Sequence, residues 1–146
     1  MPIETIIALA AKAANVSTGL LLAICMQETG LRNVTVHHDG GSPSIGICQV
    51  KMGTAKMMKF GGSEKDLSDN FMNAYIAAKY LKYQKQRYDN NWCKAVAAYN
   101  AGSYLESQIK PGYPKNLKYV HGVQNKIAKH LQNKLDCNYN EIAIAD

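Results

Sequence analysis

The sequence predicts a mostly helical, single-domain protein with at most a short β-hairpin around residues 33–50. Three observations carry that prediction. Long stretches are Ala- and Leu-rich with helical spacing of apolar positions. Good helix caps and stops, Ser17, Gly30 and Gly102, fall at the ends of those stretches. β-branched residues mixed with turn formers cluster only between residues 33 and 46. At 146 residues, with 47% hydrophobic and 19% charged residues, the chain can bury one core and is not disordered.

Taken in order, residues 3–14 read as an amphipathic helix and Asn15-Val16 as a turn. Ser17 then caps a second helix through Thr29 that is apolar nearly all round, the pattern of a buried helix. Gly30 stops it by taking the left-handed conformation. Glu28 therefore falls in the last turn, and this stretch alone leaves two readings. It is either a helix-end glutamate that simply reaches solvent, or one whose partial burial and place at the negative end of the helix dipole favour a protonated carboxyl, the requirement for a general acid at neutral pH. Residues 33–46, with Asp39-Gly40-Gly41-Ser42-Pro43, read as loop and hairpin. Thr54–Phe60 reads as a short helix before a Gly61-Gly62 turn. Ser68 is expected to cap a long helix through Tyr88, with Phe71, Ala74, Ala78 and Leu81 on one face. Trp92–Tyr99 is a further buried helix, Ser103–Ile109 a short one, and Leu117–Leu135 a final amphipathic one, with the tail from Asn138 on the surface.

The formal charge of +6 suits an anionic partner such as nucleic acid, acidic lipid or the bacterial wall. Lys and Arg are scattered, which disfavours nucleic acid, and no stretch reaches membrane-spanning length, which disfavours membrane insertion. The first residues lack the basic start of a secretory signal. The four cysteines, Cys25, Cys48, Cys93 and Cys137, lie far apart and offer no metal-ligand spacing. Cys25 and Cys93 read as small buried hydrophobes, and the sequence leaves a disulfide undecided. His37-His38-Asp39 reads as loop residues with local hydrogen bonds, since adjacent residues rarely converge on one ion. Tyr75, Tyr80 and Tyr83, among nine tyrosines, read as packing along the long helix.

Three segments stand out beyond this helical pattern: Gln27-Glu28-Thr29-Gly30, Ser44-Ile45-Gly46-Ile47-Cys48-Gln49-Val50 ending in Thr54-Ala55, and Ala98-Tyr99-Asn100-Ala101-Gly102, with Tyr119-Val120 following. In order and spacing they resemble the signature of the lytic transglycosylases with a lysozyme-like catalytic domain, over about residues 3–130. That family has a Glu-Ser pair, a Gly-Leu-Met-Gln segment, Ala-Tyr-Asn-Ala-Gly and a late Tyr-Val. The resemblance implies a lysozyme-like helical domain, possession of the catalytic acid at Glu28, and sugar-binding roles for Thr29, Ser44, Gln49, Tyr99, Asn100 and Tyr119. Thr29 keeps the hydroxyl of the family's serine, which could hydrogen-bond the glutamate. Gln49 would line the glycan groove, or alternatively hold a loop backbone. Tyr99 and Asn100 would flank the sugars, and the Tyr119 hydroxyl would orient the catalytic carboxyl group. Cys48 replaces a methionine and would pack beneath the site. Lys51-Met52 departs from the usual Met-Pro; a solvated Lys51 is the plainer reading, contact with carboxylates of the peptide stems the bolder one.

The implied reaction is cleavage of the β-1,4 bond between N-acetylmuramic acid and N-acetylglucosamine, with closure of a 1,6-anhydro ring and no metal or cofactor. Two other readings stand beside it. One is hydrolysis, with Asp39 holding water as in the goose-type lysozymes; the other is a non-catalytic wall-binding module of a virion. The implied partner is the peptidoglycan glycan strand, met by a monomer acting in the periplasm or outside the cell. The setting expected is a bacteriophage endolysin or virion enzyme, or the wall opener of a secretion system.

Overall fold

In the computed structural model, residues 1–130 are described together with Leu135, Cys137 and Tyr139. Chain contacts divide the molecule into two compact units, Met1–Tyr80 and the segment from Leu81 onward. The first unit begins with α1 (Ile3–Ala14) and α2 (Thr18–Thr29), which pack on each other. Asn15 ends α1 in the left-handed conformation, φ 57°, and donates its N–H to Ala11 and Lys12 carbonyls. Ser17 caps α2 by accepting the Leu20 N–H, and Gly30, φ 67°, closes it by donating to the Met26 carbonyl. Both of these caps were legible in the sequence. The antiparallel hairpin of β1 (Thr35–Asp39) and β2 (Ser42–Ile45) follows, with Thr35 opposite Ile45 and Val36 opposite Ser44.

After the hairpin come α3 (Met52–Met57), α4 (Glu64–Leu67) and the start of α5 (Asn70–Arg87). Here several expectations are corrected. The helix expected over Thr54–Phe60 starts earlier, at Met52, and ends at Met57, because Lys59 adopts a positive φ of 72°. Ser68 does not cap the long helix; it ends α4, its hydroxyl donating to the Lys65 carbonyl, and Asp69 instead accepts the Met72 N–H. The four-residue α4 has no room to display a helical period, but it carries a full capping box between Ser63 and Asp66. Of the face expected on α5, Ala74, Ala78 and Leu81 are fully buried, whereas Phe71 is exposed and stacks on Tyr75.

The core of this unit contains Ile7, Leu21, Ile24, Ile45, Ile47 and Leu67, all fully buried. Each such side chain stabilises the fold by about 2 kcal/mol through removal of apolar surface from water. A disulfide joins Cys25 and Cys48, with Cα atoms 4.3 Å apart. Cys25 is thus buried as expected, but as half of a cystine.

The second unit holds the end of α5, α6 (Trp92–Ala101) and α7 (Leu117–His130), with Leu81, Val96, Val120, Val123 and Ile127 buried. Asn91 caps α6 by accepting the Lys94 N–H. The helix expected at Ser103–Ile109 is absent; that stretch is irregular, held by an isolated bridge from Glu106 to Pro114 and by the Lys115 N–H on the Leu105 carbonyl. Pro111, Gly112 and Pro114 return the chain too soon for a helix to form. Cys93 is bonded to Cys137 across 44 residues, again a cystine rather than a free buried thiol. The expected helix end at Leu135 is not reached, since Leu135 is not helical, and residues 131–134 lie outside the described ones. Of the tail placed on the surface from Asn138, only Tyr139 is described; it is half-buried against Tyr113, ring centroids 5.1 Å apart.

Candidate active site

The end of α2 is fixed by Thr29. This residue is 7% exposed, and its hydroxyl donates to the Ile47 carbonyl at 2.7 Å and accepts the Arg32 N–H at 3.1 Å. Arg32 returns to the same helix end, its Nε donating to the Thr29 carbonyl at 2.9 Å. A guanidinium there offsets the negative pole of the helix. The preceding residue, Glu28, lies in the last turn and is half-buried. The Thr29 hydroxyl, expected to reach the glutamate, is therefore committed to backbone eighteen residues away, joining the end of α2 to the second motif.

That second motif is a tight turn. Ile45 and Val50 exchange both backbone hydrogen bonds at 2.9 Å, enclosing Gly46, Ile47, Cys48 and Gln49. Gln49 sits at φ 55°, a left-handed conformation that costs a non-glycine residue about 1 kcal/mol. Its own side chain helps to hold it there: Nε2 donates to the Val34 carbonyl at 3.0 Å and the Gly46 carbonyl at 2.9 Å. Of the two roles weighed for Gln49, the backbone-holding one is thus realised by its amide nitrogen.

Beneath the turn lies Asn73 of α5, fully buried. Its Nδ2 donates to the carbonyls of Ile45 (2.8 Å) and Leu67 (2.9 Å), and its Oδ1 accepts the Cys48 N–H at 2.9 Å. Gly46 lies against that amide, and a Cβ there would come within 2.5 Å of the Asn73 Cγ. The glycine of the motif is thus required twice, by its φ of 82° and by the amide packed on it. Sequence reasoning missed Asn73; its one signal was an isolated amide within an apolar helical run.

Ser44 and Asp39 pair with each other. Ser44 is 2% exposed and its hydroxyl donates to Asp39 Oδ2 at 2.5 Å, while Lys51 Nζ donates to the Asp39 carbonyl. Ser44, expected to bind sugar, is enclosed within the hairpin. Asp39 and Lys51 secure its tip, Lys51 being neither simply solvated nor left wholly to peptide stems. His37 is exposed on β1.

In the second unit, Tyr99 of α6 is 7% exposed and Asn100 is exposed. Asn116 organises this motif: its Nδ2 donates to the Ala97 carbonyl and to Asn100 Oδ1, both at 2.9 Å, and its carbonyl accepts the Tyr119 N–H. Asn100 and the half-buried Tyr119 are thus joined through a residue that sequence reasoning did not single out. The last carbonyls of α6 are met by Gln84, fully buried, whose Nε2 donates to Gly102 at 2.9 Å and Ala98 at 3.5 Å. Arg87 adds bonds to the Gly102 carbonyl, Ser103 and Gln84.

A separate cavity of about 750 Å³ in the first unit is lined by Met58, Phe60, Met72, Tyr75, Ile76 and Lys79 among others, and none of the expected site residues borders it. Among the described residues no cluster of His, Cys, Asp and Glu could hold a metal ion, and no helix is long and apolar enough to cross a membrane.

Comparison with known proteins gives a consistent picture. The family described as "Transglycosylase SLT domain" matches residues 5–116. The invasion protein IagB of Salmonella typhimurium is 34% identical over 112 residues, covering 74% of this chain and 69% of that protein, and IagB of Salmonella typhi matches equally. An inactive mutant of the lytic transglycosylase Slt from Pseudomonas aeruginosa superposes with a TM-score of 0.66 at 22% identity, over 84% of this chain and 23% of that one. The 70 kDa soluble lytic transglycosylase of Escherichia coli superposes with a TM-score of 0.57 at 24% identity, over 87% and 19%. The chain thus spans about a quarter or less of those two structures, which share its fold.

Proposed function

The chain belongs to the transglycosylase SLT domain family, the lytic transglycosylases that act on peptidoglycan, and from that premise we propose that Glu28 is its single acid and base. The observation that carries this reading is the place of Glu28: half-buried in the last turn of α2, beside a threonine tied to the Gly46–Gln49 turn. A glycosidase ordinarily needs two carboxylates. Asp39 is drawn into the hairpin by Ser44, which supports a structural role for it and weighs against a water-holding one.

With one carboxyl group the substrate must supply the rest. Protonated Glu28 donates its proton to the glycosidic oxygen as the bond to C1 of N-acetylmuramic acid breaks, and the substrate's own N-acetyl oxygen stabilises the developing positive carbon. Glu28, now a carboxylate, accepts the proton of the C6 hydroxyl as that oxygen bonds to C1. The products are a free N-acetylglucosamine 4-hydroxyl and a 1,6-anhydro-muramic end, and the enzyme returns to its starting protonation state. Gln49 contacts the glycan beside this centre, and Tyr99, Asn100 and Tyr119 keep the sugar-directed roles implied by the family. Residues 1–146 act as one catalytic domain with its motifs within about residues 3–130, as a monomer, on the wall outside the cytoplasm. The Salmonella relatives, named as invasion proteins, support a bacterial setting over the bacteriophage one.

The test is mass spectrometry of muropeptides released from purified peptidoglycan. Products ending in 1,6-anhydro-muramic acid are expected from the wild-type protein and none from Glu28→Gln, with unchanged circular dichroism. Reducing ends, or full activity in the variant, would overturn the assignment.

A further inference from the structure

We infer that Asn73 is a positioning residue for glycan binding, acting through Gln49; the inference rests on the sugar-binding role proposed for Gln49. A buried carboxamide must find partners for its donors and its acceptor alike. Asn73 offers two N–H donors and an acceptor oxygen, and here both donors and the oxygen are used on backbone. The orientation of the amide is fixed by its partners, since only the NH₂ can face two carbonyls and only the oxygen can face the Cys48 N–H.

The three partners are not scattered. Ile45 is the first residue of the motif turn, and Cys48 immediately precedes Gln49. Asn73 therefore spans the turn from beneath, fixing where the chain enters and where it delivers Gln49. Leu67, the third partner, closes α4 and ties the amide to that helix end. The residue so delivered is strained, at φ 55°, and a strained conformation persists only where its surroundings over-determine it. Gly46, with the amide packed on it where a Cβ would sit, leaves the turn no lateral play.

Gln49 Nε2 donates to the Gly46 carbonyl within the turn and to the Val34 carbonyl that the Gly46 N–H also holds, so the position of the amide follows the turn. Loosening the turn therefore displaces the Gln49 amide as a whole. Asn73, fully buried, touches no sugar; its effect on binding passes entirely through Gln49. A residue that merely stabilised the fold would change how many molecules are folded, and leave unchanged how tightly the folded ones bind.

The experiment is a double-mutant cycle in the catalytically silent Glu28→Gln protein. Calorimetric titration with soluble, stem-bearing glycan oligomers reads affinity and stoichiometry separately. Asn73→Ala and Asn73→Asp are both used, because the first empties the space and the second keeps its shape while turning acceptor oxygens toward two carbonyls. The inference expects Kd to rise about tenfold, the scale of one lost hydrogen bond. In the Gln49→Ala background the same substitutions should leave Kd unchanged. Equal losses with and without Gln49, or a fall in stoichiometry alone at constant Kd, would overturn it. So would the absence of measurable glycan binding. The wild-type product analysis decides the lyase reading independently, so the two can fail separately.

Discussion

In each compact unit a buried amide from α5 binds backbone that bears motif residues, an irregular turn in the first and a helix end in the second. In the first unit Asn73 holds the Ile45–Val50 turn; in the second Gln84 holds the end of α6. The two solutions differ in kind. A helix end exposes only its last carbonyls, so a donor suffices, and Gln84 spends its nitrogen on them while its oxygen accepts from Arg87. A four-residue turn exposes donors and acceptors alike. Asn73 must therefore serve both, and it is joined by Thr29, by the Gln49 amide and by a cystine. The motif turn, which lacks regular structure, thus carries more restraints per residue than the helix end does.

The disulfides give the largest test of this contrast. On a chain-entropy estimate, closing a loop across 23 residues contributes about 3 kcal/mol and across 44 residues about 4 kcal/mol. The double variant Cys93→Ala/Cys137→Ala should therefore lose slightly more stability in denaturant titrations than Cys25→Ala/Cys48→Ala. A loss much larger than about 3 kcal/mol at Cys25–Cys48 would mean that the cystine, and not Asn73 and Thr29, carries the turn.

A pair of glycines sharpens the same comparison. Gly46 and Gly102 both have positive φ, 82° and 86°. A Cβ at Gly102 would meet nothing within 4 Å, whereas at Gly46 it would strike Asn73 at 2.5 Å. Gly102→Ala should thus cost about 2 kcal/mol, the conformational term alone, since φ 86° with ψ −34° lies outside the left-handed helical region. Gly46→Ala should cost about 3 kcal/mol, because forced overpacking is added. Equal losses in thermal unfolding would show that the turn yields and that its restraint is weaker than the geometry indicates.

What the sequence made legible divides along a physical line. Ser17, Gly30 and the apolar run of α2 act within one or two turns of chain, and their pattern predicted that helix correctly. The hairpin was legible from its turn residues. Asn73 bonds to residues 25 and 28 positions away, and Asn116 to one 19 away; nothing local marks such pairs. The cystines belong with them, since four widely spaced cysteines permit several pairings. Ser68 and Asp69 show the opposite failure, two adjacent cap formers of which local pattern chose the wrong one. The motif residues were found by family likeness, yet the contacts of Thr29 and Ser44 differ from those expected, because a motif names a residue type and not where its hydrogen bonds go.

The smallest expected effect concerns pH, and it separates the units by sign. In the first unit, Ser63's backbone N–H and then its hydroxyl hold the Asp66 carboxyl below its ordinary 3.8. A lowered carboxylate pKa contributes stability above the unfolded value and loses it as pH falls through the folded one, so α4 should loosen in acid. In the second unit, burial first, and then Tyr104 and Tyr113, push the half-buried Tyr139 phenol from 10.0 to about 12. Burial, followed by Glu106, raises Tyr104 as well. The folded protein holds these phenolic protons more tightly than the unfolded chain. Their contribution is therefore full below pH 10 and is lost as pH rises toward 12. Tyr139 is half open to solvent, which screens the effect and keeps it modest. Hydrogen exchange at rising pH, after correction for the intrinsic rate, should show protection falling first in the second unit. Tyr139→Phe should remove most of that alkaline loss. If instead the first unit opened first in alkali, its denser restraints would not be what distinguishes it, and the comparison between the two would fail.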